Sequence, residues 1–466
     1  MSRPPYAAAP SRLIIPAVLA VLASLGAFGP AAAAGDLRPQ VDALAQPLID
    51  DGLAVGMVIG ILQDGQQQVF AYGETRLGSG QAPDGETVYE IGSVTKVFTS
   101  VLLADLVLAE SVSLDDPVQA HLPDSVRVPI HDALPITLEH LATHMSGLPR
   151  LPSNLLPADF TNPYADYTVA QLYAFLQGHQ LRRPPGQYEY SNLGVGLLGH
   201  VLARHRGTTF EQLVVEQIAD PLNMQDTRVA LNPDQQQRLA PPYDAARQPA
   251  ANWDLPTLAG AGALRSTVND MLLFARANLA GGDDPLHTAL RMAQQKRHEL
   301  PDGLAGGLGW LIARDGISLW HSGMTGGYAA WLSVVPPYAV AVVVLANTAT
   351  EKINELGELL TRVACGVPVA APERRQAIAV DPTVLATYTG VYALTPAFLL
   401  TVTLEGEQLY VQATGQAKLP VFAASATEFF YKVVDARITF VVESDGTVPQ
   451  LFLHQNGLDM PARRQP

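Results

Sequence analysis

The chain is poor in cysteine and in positive charge, and past its first thirty residues it has no long uninterrupted apolar run. Its single cysteine, Cys365, cannot form an internal disulfide and rules out cysteine-built zinc ribbons and iron–sulfur centres. Twenty-nine Lys and Arg stand against 44 Asp and Glu, a net charge of −15 with no basic cluster, which makes nucleic acid and anionic membranes poor partners. The apolar stretch from Ala329 to Ala346 is cut by Pro336-Pro337 and reads as two buried strands, not a membrane span. No G-x-S-x-G elbow, Walker loop or dinucleotide-binding glycine loop is found. What is there is an ordinary globular balance, 48% hydrophobic and 16% charged over 466 residues, long enough for a large enzyme plus an accessory module.

Arg3 and Arg12 precede an apolar stretch from Leu13 to Phe28, Pro30 breaks it, and Ala32-Ala33-Ala34 offers small residues to a signal peptidase. Residues 1–34 read as a secretory signal peptide. The expected product is an exported protein, periplasmic or secreted, without a transmembrane anchor after processing.

Residues 35–366 read as one domain. β-Favouring runs at Ala54 to Leu62 and Gln67 to Tyr72 flank Asp64-Gly65, a hairpin turn requiring positive φ. A helical pattern starts at Ser93 and runs to about Ala109, and helical segments continue to about Leu279, at Val169 to Leu176, Leu193 to His205 and Thr267 to Leu279. Strands return at Ile317 to His321, Tyr328 to Val335 and Tyr338 to Leu345, before a helix at about Ile353 to Ala364. The expected class is α/β in the α+β sense: an antiparallel sheet formed from both ends of the domain around a large helical insertion, with a cleft between them. Residues 367–381, with Pro368, Pro372 and Glu373-Arg374-Arg375, read as a linker. From 382 to 466 short runs at Phe398 to Leu404, Leu409 to Gln412, Phe429 to Val434, Ile438 to Val442 and Leu451 to Leu453 alternate with Glu405-Gly406, Asp445-Gly446 and Asn456-Gly457. This rhythm suits a small all-β barrel or sandwich.

Three short segments carry chemistry. In Gly92-Ser93-Val94-Thr95-Lys96, at a helix start, Ser93 and Lys96 share one face, and the apolar Val97, Phe98, Val101 and Leu102 desolvate the amine, so that it gives up its proton more easily and can activate the hydroxyl. Tyr190-Ser191-Asn192 follows the rigid Pro184-Pro185-Gly186, placing a phenol for proton transfer and an amide that can orient a carbonyl. His321-Ser322-Gly323 closes a late strand, and Met324-Thr325-Gly326-Gly327 lets another backbone approach, so that an edge N–H can join the N–H of a serine at a helix start as two oxyanion donors. His140 and His144 have the i, i+4 spacing of zinc ligands, but Leu141 occupies the place of a zinc protease's glutamate.

S-x-x-K, then Y-x-N about a hundred residues on, then a basic-x-Gly tripeptide on a late strand together resemble the three boxes of the serine β-lactamase and penicillin-binding-protein superfamily. The tyrosine of the second box resembles class C β-lactamases and D-alanyl-D-alanine carboxypeptidases. Tyr72-Gly73-Glu74-Thr75-Arg76, Leu141-Ala142-Thr143-His144, Ser146-Gly147-Leu148-Pro149, Pro221-Leu222-Asn223-Met224 and Leu264-Arg265-Ser266-Thr267 are also family-like, and the tail resembles the β-barrel that often follows such hydrolases. The resemblance implies an acyl-enzyme on Ser93, with Lys96 and Tyr190 sharing acid–base work and either of them as the base. Asn192 would orient Lys96 or the substrate amide, His321 would bind the substrate carboxylate or tune Tyr190, Ser322 and Gly323 would bind substrate, and the Ser93 and Met324 N–H groups would hold the oxyanion. No cofactor or metal is implied. The substrates implied are D-alanyl peptides of peptidoglycan and β-lactams, or alternatively small acyl esters; a catalytically silent wall-binding or partner-binding protein is the reading of another class. Two departures bear on this. His321 stands where class C enzymes carry Lys, which weakens carboxylate anchoring, and no Glu-x-x-Leu-Asn segment of class A is found.

Overall fold

The computed structural model of the chain describes residues 36–370 and 377–465, apart from Ala417, Val433, Asp435 and Asn456. The expected signal peptide and part of the expected linker lie outside these residues. The chain divides into two compact units, with the boundary between Ala371 and Pro372.

In the first unit, strands β1 (Gly56–Gln63) and β2 (Gln66–Gly73) form the hairpin, with Asp64 at φ 50° and Gly65 at φ 77°. A two-stranded ribbon pairs β3 (Tyr89–Glu90) with β4 (Arg265–Ser266). The remaining strands are β5 (His298–Glu299), β6 (Ala305–Gly306), β7 (Leu311–Ile312), β8 (Leu319–Met324), β9 (Ala329–Val335) and β10 (Val340–Ala346). The eight-stranded sheet runs β2-β1-β10-β9-β8-β7-β6-β5, so the two ends of the domain pair inside it as its second and third strands, with Val58 opposite Leu345. Alternation along the strands serves two cores. Val58, Leu62, Val343 and Leu345 face the helical region, against Phe98, Val268 and Leu272. Met57, Ile59, Ile61, Val342 and Val344 face the opposite way, under the helices Arg38–Asp50 and Lys352–Ala364. Burial on both faces explains why β1 and β10 read as continuous apolar runs. Gly60 permits the close packing of helix Val268–Leu279, since a Cβ there would lie 2.7 Å from Leu272.

The helical insertion includes Thr95–Leu108, Val169–Gly178 and Asn192–Arg206. Pro336–Tyr338 forms a 3₁₀ turn that joins β9 to β10, ending the apolar run where the two prolines stand. Cys365 caps helix Lys352–Ala364, and burial pushes its thiol up to about 12, leaving it a protonated, unreactive group. Among the described residues no helix is long and apolar enough to cross a membrane.

The second unit is a closed, eight-stranded antiparallel barrel between Gly390 and Arg464, preceded by a short helix at Pro382–Thr387. Tyr388 stacks on Phe440 at 4.2 Å between ring centroids in a core shared with Phe429 and Ile438. Three of its strands, Gly390–Thr395, Lys418–Ala423 and Leu458–Arg464, were not among the sequence expectations. The run expected at Phe429 to Val434 is a strand only over Glu428–Phe430, because the chain turns at Tyr431, whose N–H bonds Ala436 O.

Candidate active site

Ser93 lies in a 3₁₀ turn, Gly92–Val94, that leads directly into helix Thr95–Leu108. The serine is partly exposed, whereas Lys96, one turn on, is wholly buried. Lys96 Nζ lies 2.8 Å from Ser93 Oγ and donates to the Ala261 carbonyl at 2.6 Å. Burial, with a contribution from the Arg150 charge, holds the Lys96 pKa well below that of a free lysine. A neutral amine that donates to Ala261 keeps its lone pair for the serine hydroxyl.

Tyr190 also hydrogen-bonds Ser93; burial raises its pKa, an effect opposed by that bond and by the Arg150 charge. The phenol therefore stays protonated near neutrality. Its ring stacks on His144 at 4.2 Å, and Lys96 Nζ and Arg150 Cζ each lie 5.1 Å from its centroid. The segment holding it is clipped in place: Glu189 N–H bonds His144 O, Ser191 N–H bonds His144 Nδ1 and Ser191 Oγ bonds Pro149 O. Ser191 also caps helix Asn192–Arg206 through Gly194 N–H. Asn192 opens that helix; its buried Oδ1 has no partner among the described residues, and its side chain hydrogen-bonds Tyr164. The second partner of Lys96 is thus a backbone carbonyl from a distant loop, not Asn192.

The His321-Ser322-Gly323 box lies within β8, not at its end as expected, and β8 continues to Met324. His321 Nδ1 sits 2.6 Å from Ser322 O; a carbonyl only accepts, so Nδ1 carries the proton. Burial, with the nearby Lys96, pushes the His321 pKa down to about 3, and the ring is neutral at physiological pH. Its ring centroid is 6.3 Å from that of Tyr190, and a small cavity behind it is lined by His144, Tyr188 and Trp310.

Antiparallel pairing fixes where the strand's N–H groups point. Thr325 N–H bonds Tyr328 O, and the register places Met324 opposite Ala329, so Met324 N–H faces away from β9. That outer edge meets the serine turn. A Cβ on Gly92, at φ +48°, would lie 2.8 Å from Met324 N, and one on Gly323 would lie 2.0 Å from Ile91 O and 3.1 Å from Ser93 N. Two glycines therefore bring the Ser93 and Met324 amides together, and the first N–H groups of a helix have no intrahelical acceptor.

The Beta-lactamase family model matches residues 41–364. The chain belongs to the beta-lactamase family. The model of a domain of unknown function, DUF3471, matches residues 374–464. Among curated relatives, the D-alanyl-D-alanine-carboxypeptidase/endopeptidase AmpH of Escherichia coli K12 is 32% identical over 361 residues, covering 71% of this chain and 91% of the relative. A beta-lactamase of Pseudomonas fluorescens is 27% identical, covering 67% and 94%. Among solved structures, a beta-lactamase/D-alanine carboxypeptidase from Yersinia pestis, complexed with citrate, superposes with TM-score 0.62 at 26% identity, covering 71% of this chain and 98% of that one. The protein is a serine hydrolase.

In this beta-lactamase family member the structure brings Ser93, Lys96, Tyr190, His321, Gly323 and Met324 into one site. It also adds residues with no role in the sequence reading: Ala261, whose carbonyl has no side-chain signature, and Arg150. His144 stood out by its spacing from His140 and as part of a family-like segment, with no catalytic role assigned; the helix ends at Ala142 and His144 takes φ 60°, so the pair does not share a helical face. His140 caps that short helix, accepting from Thr137 N–H, and His144 stacks under the phenol. Among the described residues no group of three or more His, Cys, Asp or Glu is arranged to hold a metal.

Proposed function

We propose that the protein is exported and hydrolyses D-alanyl peptides of peptidoglycan, with β-lactams as acylating analogues, through a Ser93 acyl-enzyme. Names of relatives support the substrate class, and the residues support the steps. Lys96 is the base: its desolvated amine 2.8 Å from Ser93 Oγ is the observation that carries the proposal. As Ser93 Oγ bonds the substrate carbonyl carbon, its proton passes to Lys96 Nζ, and the carbonyl oxygen becomes an anion held by the Ser93 and Met324 N–H groups. Tyr190, kept protonated, delivers a proton to the leaving amine and is recharged from Lys96 across the Ser93 oxygen. Water then attacks the ester carbon, gives its proton back through the same pair, and the carboxylic acid departs. Asn192 orients the substrate amide. His321 takes the second of its two expected roles, setting the environment of Tyr190, because a neutral ring is a poor partner for a carboxylate; Ser322 and Gly323 line the acyl site. Residues 35–366 form the hydrolase domain, 367–381 the linker and 382–466 the barrel domain.

Intact mass of the mature protein after mixing with benzylpenicillin, beside Ser93→Ala, tests this. An adduct confined to the serine-containing protein is expected, and its persistence or decay separates peptidase from β-lactamase. With no adduct and unchanged antibiotic the penicillin-directed reading fails. A broad esterase of the same site is then favoured if small esters turn over.

A further inference from the structure

We infer that Arg150 is a specificity residue that recognises a carboxylate of the substrate; this rests on the serine-hydrolase reading above. Its backbone is fixed beside the second box: Leu193 N–H bonds Arg150 O at 3.1 Å, and Ser191 Oγ bonds the preceding carbonyl, Pro149 O, at 2.7 Å. Its side chain is exposed, and its guanidinium lies over the Tyr190 ring, 5.1 Å from the centroid. Lys96 Nζ is equally far from that centroid, so the guanidinium is within about 10 Å of the amine that touches Ser93. In a chain of net charge −15 it forms no ion pair with a carboxylate among the described residues.

The other basic groups around Ser93, namely Lys96, His144 and His321, are buried, and Lys96 Nζ is already engaged by Ser93 Oγ and the Ala261 carbonyl. Burial takes Lys96, His144 and His321 toward their neutral forms, and the late strand has histidine where a lysine would anchor an anion. Arg150 is thus, among the described residues, an exposed cation placed over Tyr190. A guanidinium has the planar fork that pairs with a carboxylate through two parallel hydrogen bonds, and an unpaired one at the solvent side of a nucleophile carries little desolvation penalty before substrate arrives. D-alanyl peptides and penicillins are both carboxylates, and simple alkyl esters are not.

Three esters test the inference: p-nitrophenyl valerate, which is neutral; mono-p-nitrophenyl glutarate, which carries a carboxylate on the acyl part; and the valerate ester of 3-hydroxybenzoate, which carries it on the leaving group. Arg150→Ala is expected to lower kcat/KM for one carboxylate ester by about 10- to 100-fold relative to the neutral one, mostly through KM. The ester affected tells on which side of the scissile bond the carboxylate sits. Arg150→Lys should recover part of the loss, as a point charge without the fork. A fall by the same factor for all three esters, or no change in any, would overturn the inference. A wild-type protein that releases no phenol and gains no mass with benzylpenicillin would instead overturn the hydrolase reading, and this inference with it.

Discussion

Replacing Gly323 by alanine strikes the proposed oxyanion site through the backbone alone. The added Cβ would lie 2.0 Å from Ile91 O and 3.1 Å from Ser93 N. Carbon–oxygen contacts settle at about 3.3–3.6 Å, so β8 and the serine turn must separate by about 1.3 Å. The obstacle is main chain, so no rotamer change relieves it. Donors serve an oxyanion at about 2.7–3.1 Å, and a shift of this size removes one of them, at a cost of about 10²–10³ in kcat, or about 2.7–4 kcal/mol of transition-state stabilisation. Gly357→Ala is the matched control: its Cβ would lie 2.2 Å from the Trp331 ring, on the far side of the sheet. Overpacking there should cost about 1–3 kcal/mol of stability, with the rate per folded molecule kept. The assay is kcat on p-nitrophenyl valerate, normalised by active-site titration, beside a thermal melt of each variant. Wild-type kcat in Gly323→Ala, or a loss in both variants in proportion to stability, would refute the reasoning.

Four further predictions concern protons. Lys96→Arg should lower the acylation rate by about 10²–10⁴, because a guanidinium cannot act as a base, and single-turnover kinetics with benzylpenicillin would register it. For wild type the acylation rate should fall as pH drops through the depressed Lys96 pKa and hold on the alkaline side; a limb placed near the pKa of free lysine would contradict Lys96 as the base. The same depression means the unfolded chain binds a proton that the folded one does not, so Lys96→Met should raise the thermal midpoint at neutral pH while abolishing acylation. His321, with its pKa near 3, should show the ¹⁵N shifts of a neutral ring protonated at Nδ1 from pH 8 to pH 5, and a titration within that window would refute the assignment.

Most of the first unit was legible because its signals are strong and local. Asp64-Gly65 turned where positive φ was needed, and the continuous apolar runs of β1, β9 and β10 gave strands within two residues of their expected starts. The ribbon β3–β4 and strands β5, β6 and β7, two residues each, are too short to leave a pattern. In the barrel, Pro420 and Pro461 lie inside strands, where proline argues against pairing, and so two of the three missed strands were hidden by it. The three boxes named, by type, order and separation, side chains that the fold brings together at the candidate site. Arg150 and the Ala261 carbonyl were invisible for another reason: their place beside Tyr190 and Lys96 comes from backbone hydrogen bonds and long-range packing, which no local spacing encodes.

The pairing of β1 with β10 sets the order in which the enzyme can become active during folding. Met57 meets Ala346, and the Ser93 turn meets β8, so neither the β1–β10 pairing nor the proposed oxyanion site can form until almost the whole unit is available. Such non-local pairing raises contact order and slows the final step, so an emerging chain holds Ser93 apart from Met324 until late in folding. A truncation before Val340 would not trim an edge; it would remove a strand from inside the sheet, one of the two that β1 pairs with, and leave Ser93 and Lys96 in a chain whose sheet is split.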